Sequence, residues 1–262
     1  DFTPVVREDA LAARQRIVVS PKWIVLAYAA IAFALLLRLA IGIAGGSRLR
    51  RTSQLVTDGA VLSALARHTQ SLGMRITPAI AYCARVAVPT VVGVVRPMIL
   101  LPLSAATGMT PEQVEYLVLH ELAHIRRYDH IVNLMQRVIE ALLFYHPVVW
   151  LISRQIRIER EHCCDDLVVH LGGDAHHYAE SLLAAATLAQ GFSAHSAVPT
   201  LSATGKASHL RQRIARILGE PAPAVRLRHT GWVFAMLCAF AGIVAIAQLD
   251  SSKGPEPSKE LV

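Results

Sequence analysis

Two long apolar segments constrain the fold of this chain more than any other feature. Residues 23–44 contain a single charged residue, Arg38, and residues 231–247 contain none. Each segment approaches the ~20 residues that a membrane-spanning helix needs, whereas a soluble core helix is rarely apolar on every face. We therefore predict transmembrane helices at residues 23–45 and 230–249. Arg38 lies towards the end of the first helix, where a long side chain can extend to the membrane interface.

The composition and the charge pattern are also typical of a membrane protein. Hydrophobic residues make up 53% of the chain and charged residues only 17%, against about 25% charged residues in soluble domains. The net charge is +7, yet aromatic residues are only 6%. The basic residues cluster beside the apolar segments, at Arg48, Arg50 and Arg51 and again at Arg226 and Arg228. This distribution disfavours a nucleic-acid-binding module, and we expect no direct binding of nucleic acid.

The excess of basic residues between the two apolar segments sets the predicted topology. By the positive-inside rule, residues 46–229 face the cytoplasm and residues 1–22 are extracytoplasmic. Residues 250–262 have the composition of a polar, disordered tail or a linker. We therefore predict a multi-pass protein of a bacterial-type inner membrane. The chain begins at Asp1 without a signal peptide, so we expect it to be a fragment of a longer protein.

Local patterns predict a mostly helical α+β domain between the apolar segments. Helical spacing of apolar residues covers residues 53–72. Residues 76–102 are rich in β-branched side chains and are interrupted by proline and glycine, which predicts two or three strands with a hairpin near Arg96.

The helices that follow are marked by capping residues and by prolines. Thr110 is followed at once by proline and three residues later by glutamine, a pattern that starts a helix. We expect this helix to continue to about Arg127, and further helices to cover residues 129–144 and 148–171. Residues 144–152 are strongly apolar, which makes them a candidate for embedding in the membrane.

The strongest chemical signal is the pair His120 and His124, with Glu121 beside the first histidine. Residues four apart share one helix face, and neutral imidazoles are preferred ligands of zinc. Glu121 is then placed to take a proton from a zinc-bound water and pass it to a leaving amine. The same pattern arises by chance on solvated helices, but the predicted helix start at Thr110 favours the metal-binding interpretation. Cys163 and Cys164 are adjacent, cannot easily hold one ion together, and are expected to pack in the core.

A catalytic zinc needs a third protein ligand, and spacing alone does not identify it. The downstream carboxylates are Asp129, Glu140, Glu159, Glu161, Asp165 and Asp166. Glu161 and Asp165 lie four residues apart, so one could bind the metal while the other orients a ligand histidine.

Four runs of sequence together resemble those of the BlaR/MecR-type integral-membrane zinc metallopeptidases, which are antirepressor peptidases of the gluzincin type. These runs are residues 120–129 with Asn133, residues 160–166, residues 144–147 and residues 93–102. The resemblance extends over roughly residues 23–248. It implies a gluzincin-like zincin domain with a small β-sheet, flanked by transmembrane helices, and one bound zinc ion. It also implies a set of site residues: the zinc ligands His120, His124 and Glu161, the general base and acid Glu121, and the supporting residues Asp165, Asp129 and Asn133.

The resemblance further implies that the chain hydrolyses peptide bonds within a signalling pathway. The expected substrate is a polypeptide, either a cytoplasmic protein such as a transcriptional repressor or the chain itself. We expect an extended substrate to pair with an edge strand near residues 88–95. The alternative is a catalytically silent signalling or scaffold protein in the lipid bilayer, although a scaffold has no need to keep Glu121.

Overall fold

A computed structural model describes residues 21–194 and 203–220 of the chain. Within these ranges the protein is mostly helical, with one small mixed sheet. The elements are α1 (Pro21–Thr52), β1 (Gln54–Leu55), α2 (Gly59–Ser71), β2 (Ala79–Cys83), β3 (Thr90–Val92), β4 (Met98–Pro102), α3 (Leu103–Gly108), α4 (Pro111–Arg126), α5 (Asp129–Leu142), α6 (Pro147–Gly172), α7 (Ala175–Ala194) and α8 (Ala203–Ile217).

The sheet has the strand order β1-β2-β4-β3. The two inner strands, β2 and β4, are parallel, and each outer strand pairs antiparallel with its neighbour. All five residues of β4 are buried, as expected for a continuous apolar strand covered on both faces. Strand β3 lies at one edge and is only half-buried. On its outer side, β3 pairs with no other strand among the described residues.

A tight hairpin joins β3 to β4, in the region where the sequence predicts one. Val92 pairs with Met98, and the intervening loop contains Gly93 and Arg96. Gly93 has a φ of 93°, and a Cβ atom there would lie 2.7 Å from the carbonyl oxygen of Arg96. Only glycine fits this position without strain. Arg50 of α1 donates a hydrogen bond to the same carbonyl at 3.2 Å, so the hairpin is tied to the end of α1.

Helix α4 lies at the centre of the fold. Its start is capped as predicted: the Thr110 side chain accepts from the backbone N–H of Gln113, and the Gln113 side chain accepts from the backbone N–H of Thr110. Helices α2, α6 and α7 pack around it. Val118 and Leu122 of α4 are fully buried in the main core. This burial fixes the helix that carries the predicted zinc-binding motif.

Helix α1 is long and apolar enough to cross a membrane, judged by length and composition. It includes the predicted span 23–45 and continues to Thr52, and most of its large side chains are exposed. Its flank contacts the end of α5 and the residues after it: the Tyr28 hydroxyl donates to the Leu142 carbonyl at 2.9 Å, and the Tyr28 ring stacks on Phe144 with the ring centroids 5.8 Å apart. The predicted second span, 230–249, lies outside the described residues. So do the tail 250–262 and nearly all of the N-terminal segment 1–22.

The helix predicted over residues 53–72 begins later than the apolar spacing indicates. Gln54 and Leu55 instead form β1, which pairs with β2, and the helix starts after Asp58. The Asp58 side chain caps it by accepting from the backbone N–H of Ala60 at 2.9 Å. The helices predicted over residues 129–144 and 148–171 are present as α5 and α6, each within two residues of its predicted ends.

Candidate functional site

The two histidines of the motif point at each other from consecutive turns of α4. Their Nε2 atoms lie 3.2 Å apart, and both side chains are largely shielded from solvent. His124 lies one helical turn after His120, so both imidazole rings lie on the same face of α4. Two nitrogen atoms at this separation either share a proton or bind a common cation.

A carboxylate from α6 completes the group. One oxygen of Glu161 lies 3.6 Å from His120 Nε2, and the other lies 3.7 Å from His124 Nε2. Ligand atoms bound tetrahedrally to zinc at ~2.0–2.1 Å lie about 3.3 Å apart. The three side chains therefore have the chemistry and nearly the spacing of three zinc ligands, and a catalytic zinc site keeps a fourth position for water or substrate. The same three residues are one of the two described groups of His, Cys, Asp and Glu that are close enough to hold a metal ion.

The other carboxylates considered from the sequence have different contacts. Glu140 accepts a hydrogen bond from Arg157 at 2.8 Å, and Glu159 accepts one from Gln155 at 2.8 Å. Asp166 forms an ion pair with Arg216 of α8. Among the described carboxylates that spacing left open, Glu161 is the one that faces both motif histidines.

Glu121 lies beside this group and lines the adjoining cavity. It is buried, and burial raises the pKa of its carboxyl group above the usual value, although the nearby histidines oppose the shift. A desolvated carboxylate is a stronger base than an exposed one. This environment suits a residue that must accept a proton.

The backbone turn after α4 brings Asp129 back to His124. Tyr128 adopts a left-handed conformation with a φ of 58°, which reverses the chain at the start of α5. His124 Nδ1 then donates to Asp129 at 2.8 Å. Burial opposes ionisation of Asp129, but the hydrogen bond from His124 outweighs it and lowers the pKa of the carboxyl group. An Nδ1 proton fixed in this way leaves the Nε2 lone pair free for a metal.

His120 is oriented by a relay rather than by direct contact with Asp165. Its Nδ1 lies 2.8 Å from the Tyr178 hydroxyl, which donates to Asp165 at 2.6 Å. Asp165 itself is 3.5 Å from His120 Nδ1. The sequence suggested that a carboxylate one turn after Glu161 could accept from a ligand imidazole, and the structure inserts a tyrosine from α7 between them. Here too Nε2 is left without the ring proton, on the side that faces His124.

Helix α8 contributes a cation to the same cluster. Arg213 donates two hydrogen bonds to Asp165, at 2.7 and 2.9 Å, and lies 3.0 Å from Glu161. Asp165 is 1% exposed, and its described partners are the Arg213 guanidinium and the Tyr178 hydroxyl. Neither Tyr178 nor Arg213 is marked by any local sequence pattern, because both reach the site from helices that are distant along the chain.

Two other residues discussed from the sequence lie close by. Cys164 is fully buried, as predicted for a packing residue, but its Sγ also donates to Asp129 at 3.4 Å. Burial raises the pKa of this thiol, so it remains protonated. Asn133 is half-buried on α5 and lines the cavity. No hydrogen bond recorded between described residues joins it to His120, His124 or Glu161.

The cluster opens into a cavity of about 1010 Å³. One wall is a face of α1, a second is the edge strand β3 with its hairpin loop, and the remainder comes from α4, α5 and α6. The cavity therefore adjoins the candidate metal ligands on one side and the apolar helix α1 on the other.

Sequence comparison defines the family. The profile of the BlaR1 peptidase M56 family matches residues 7–217, which include every site residue named above. The chain belongs to the BlaR1 peptidase M56 family. Pairwise comparison with individual proteins gives identities below 30%. It is 29% identical over 106 residues to the "Methicillin resistance mecR1 protein" of Staphylococcus aureus, and 28% identical over 132 residues to the "Regulatory protein BlaR1" of Bacillus licheniformis.

These alignments cover only part of this chain and part of each relative. They include 40% and 50% of this chain, but only 18% and 22% of the two relatives. The chain thus spans about a fifth of the relatives that it matches. Membership of the M56 family supports peptidase activity. The functions of the longer relatives as whole proteins do not transfer to this chain by these partial alignments.

Proposed function

We propose that the chain is a zinc metalloendopeptidase in which His120, His124 and Glu161 hold one zinc ion and Glu121 is the general base and acid. The observation that carries this proposal is the convergence of two Nε2 lone pairs and one carboxylate, with both Nδ1 atoms already committed to hydrogen bonds. Bound zinc supplies Lewis-acid chemistry: it polarises a carbonyl group and makes water more acidic. This arrangement is of the gluzincin type.

The proposed role of Glu121 follows from its position and environment. It would accept the proton of the attacking water and return it to the leaving amine, so that the peptide bond breaks without releasing an unprotonated amine. Its buried site strengthens it as a base. Asp129 and the pair Tyr178 and Asp165 would keep the two imidazoles in the tautomer that leaves Nε2 unprotonated.

The proposed substrate is a polypeptide in an extended conformation. Strand β3 is an edge strand with an unpaired side, and its residues line the same cavity as Glu121 and His124. An extended peptide can add to such an edge through backbone hydrogen bonds. Because the chain resembles antirepressor peptidases, the biological target would be a cytoplasmic repressor or the chain itself. The relatives named as a regulatory and a resistance protein are compatible with a signalling role.

The proposed location is a bacterial-type inner membrane, with the active site facing the cytoplasm. Helix α1 supports this location by its length and its exposed apolar surface. The segment after α5 supports the membrane location, because its exposed Tyr145 packs edge-on against Tyr28 of the apolar helix α1. Aromatic side chains of this kind are common at membrane interfaces.

The topology can be tested by labelling single cysteines with a membrane-impermeant thiol reagent. Gln70 is exposed on α2, and we expect Gln70→Cys to react only after the cells are permeabilised. Ala12→Cys, on the opposite side in the proposed topology, should react in intact cells and serves as the control. Labelling of Gln70→Cys in intact cells would contradict the proposed topology and indicate the opposite orientation.

The third zinc ligand can be tested with a matched pair of variants. Glu161→Ala should weaken zinc binding by at least about 100-fold, because two histidines alone hold zinc poorly. Glu159→Ala removes an exposed carboxylate two residues away on the same helix, and should leave zinc binding unchanged. Zinc affinity is measured by competition with a chromogenic chelator in detergent. Equal affinities for the two variants would exclude Glu161 as a ligand.

The alternative function, a catalytically silent scaffold, predicts a different set of results. A scaffold of this family could bind zinc yet cleave nothing, and replacing Glu121 would then have no functional effect. Mass spectrometry of a protein or peptide mixture after incubation with the purified chain separates the two functions. Cleavage that depends on both zinc and Glu121 supports the peptidase.

A further inference from the structure

Arg38 stands out among the residues that the proposed chemistry does not use. It is the only charged residue between Lys22 and Arg48, in the part of α1 that is long and apolar enough to cross a membrane. A charged side chain in such a position is costly and usually faces a protein cavity or a partner. The presence of a charge at position 38 therefore needs a physical explanation.

Arg38 is exposed and is one of the residues that line the active-site cavity. The α1 residues that line this cavity recur at intervals of one, three and four from Leu35 to Ser47, which defines one face of the helix. Arg38 belongs to that face, and Glu121 and His124 line the same cavity from α4. The sequence suggested that Arg38 extends to the membrane interface. The predicted span ends at residue 45, about 10 Å further along the helix, and the extension to the interface stays a prediction.

Among the residues that the structure describes, Arg38 has no acidic partner. Within residues 21–194 and 203–220, no carboxylate oxygen lies within 4.0 Å of its guanidinium group. The other arginines of the cavity wall do have partners: Arg137 lies 3.6 Å from Glu140, and Arg160 donates to Gln136 at 2.9 Å. An unpaired guanidinium on the wall of a cleft is suited to bind a carboxylate, which it can hold with two parallel hydrogen bonds.

The α1 wall is open beside Arg38 and approaches β3 further along the helix. A Cβ atom at Gly42 would meet nothing within 4 Å, and one at Gly46 would lie 3.9 Å from Val92 of β3. From Gly46 to Arg38 the helix rises by about 12 Å. An extended peptide covers that distance with three to four residues.

We propose that Arg38 is a specificity-determining residue that binds the carboxylate of an acidic side chain in an extended polypeptide substrate. The acidic residue would lie three to four positions from the substrate residue next to Val92. This inference rests on the proposed peptidase function, since it assigns a substrate preference to the same cavity. It does not depend on any role of Arg38 in catalysis.

The test measures substrate binding and cleavage separately, with the zinc-loaded full chain in lipid nanodiscs and a library of randomised ten-residue peptides. In a Glu121→Gln background, which retains peptides without cutting them, retained peptides should be enriched in Asp or Glu at one fixed position. The additional change Arg38→Gln should abolish this enrichment, and Arg38→Glu should reverse it in favour of Lys or Arg. Arg38→Lys should keep a weaker preference for acid.

Cleavage should follow the same pattern in the chain with Glu121 intact. For a peptide with the preferred acidic residue, Arg38→Gln should lower kcat/KM by about 10- to 100-fold. For the matched amide peptide, kcat/KM should change less than about twofold. Arg51→Gln, an exposed arginine at the end of α1 that does not line the cavity, is the control and should behave as the parent for both peptides.

Three results would overturn the proposal. The parent could retain peptides without any acidic preference, or Arg38→Gln could keep the preference unchanged. Alternatively, Arg38→Gln could alter only the dependence on anionic lipid in the nanodisc, which would assign the charge to phosphate headgroups. Acid-selective retention without any cleavage by the chain with Glu121 would instead contradict the peptidase and leave the role of Arg38 intact.

Discussion

Glu121→Gln is expected to leave one zinc ion bound per chain while proteolysis falls by about 10²- to 10⁴-fold. Glutamine has nearly the same size and can still hydrogen-bond to water, but it cannot accept a proton. Burial raises the pKa of the native carboxyl group, so the wild-type residue is a better base than an exposed glutamate. Zinc content is measured by atomic emission, and proteolysis by mass spectrometry of cleaved peptides.

The control for this experiment is Glu180→Gln. Glu180 is exposed on α7 and does not line the cavity, so the same chemical change there should alter neither zinc content nor proteolysis. Full proteolytic activity of Glu121→Gln would show that another group accepts the proton. Loss of zinc together with activity would indicate instead that Glu121 supports the metal site.

His124→Ala is expected to abolish stoichiometric zinc binding and, with it, all zinc-dependent proteolysis. The change removes one of three converging ligands and also leaves Asp129 without its hydrogen bond from His124, so the site loses both a ligand and its support. Zinc per chain is measured after purification without chelators. Thermal unfolding with and without added zinc provides a second readout, since a ligand that binds only the folded state raises Tm.

His170→Ala is the matched control for the metal site. His170 is exposed near the end of α6, and its loss should change neither the zinc content nor the zinc-dependent rise in Tm. The chelated wild-type chain serves as the reference for folding of His124→Ala. One zinc per chain in His124→Ala would contradict the proposed ligand set, whatever the activity.

The parts of this structure that the sequence predicted are those set by short-range interactions. The start of α4 follows from Thr110 and Gln113, which satisfy each other's backbone groups within one turn. The hairpin between β3 and β4 was predicted from the glycine and the proline in its loop, and Gly93 has the positive φ that favours glycine. The pair His120 and His124 could be identified because one helical turn is enough to bring them together.

The rest of the site depends on how helices pack, which no local pattern encodes. Glu161 is 37 to 41 residues from the motif histidines, and spacing alone left it as one of six carboxylates. Tyr178 and Arg213 lie 58 and 93 residues from His120 along the chain. Their contacts exist only because α7 and α8 pack beside α6. The late start of α2 has a similar cause, because pairing with β2 converts part of an apparently helical segment into a strand.

The ion pair between Arg213 and Asp165 sets a lower limit on how far this chain can be shortened. A protein that ended after α7 would keep both histidines, Glu161 and Tyr178, yet Asp165 would lose the cation that pairs with it. As long as Asp165 stays buried, the loss of that cation costs about 3–5 kcal/mol, a large fraction of the ~5–15 kcal/mol that stabilises a typical domain. We therefore expect a stable form of this chain to need the residues up to the end of α8, well beyond the last residue that would touch the metal.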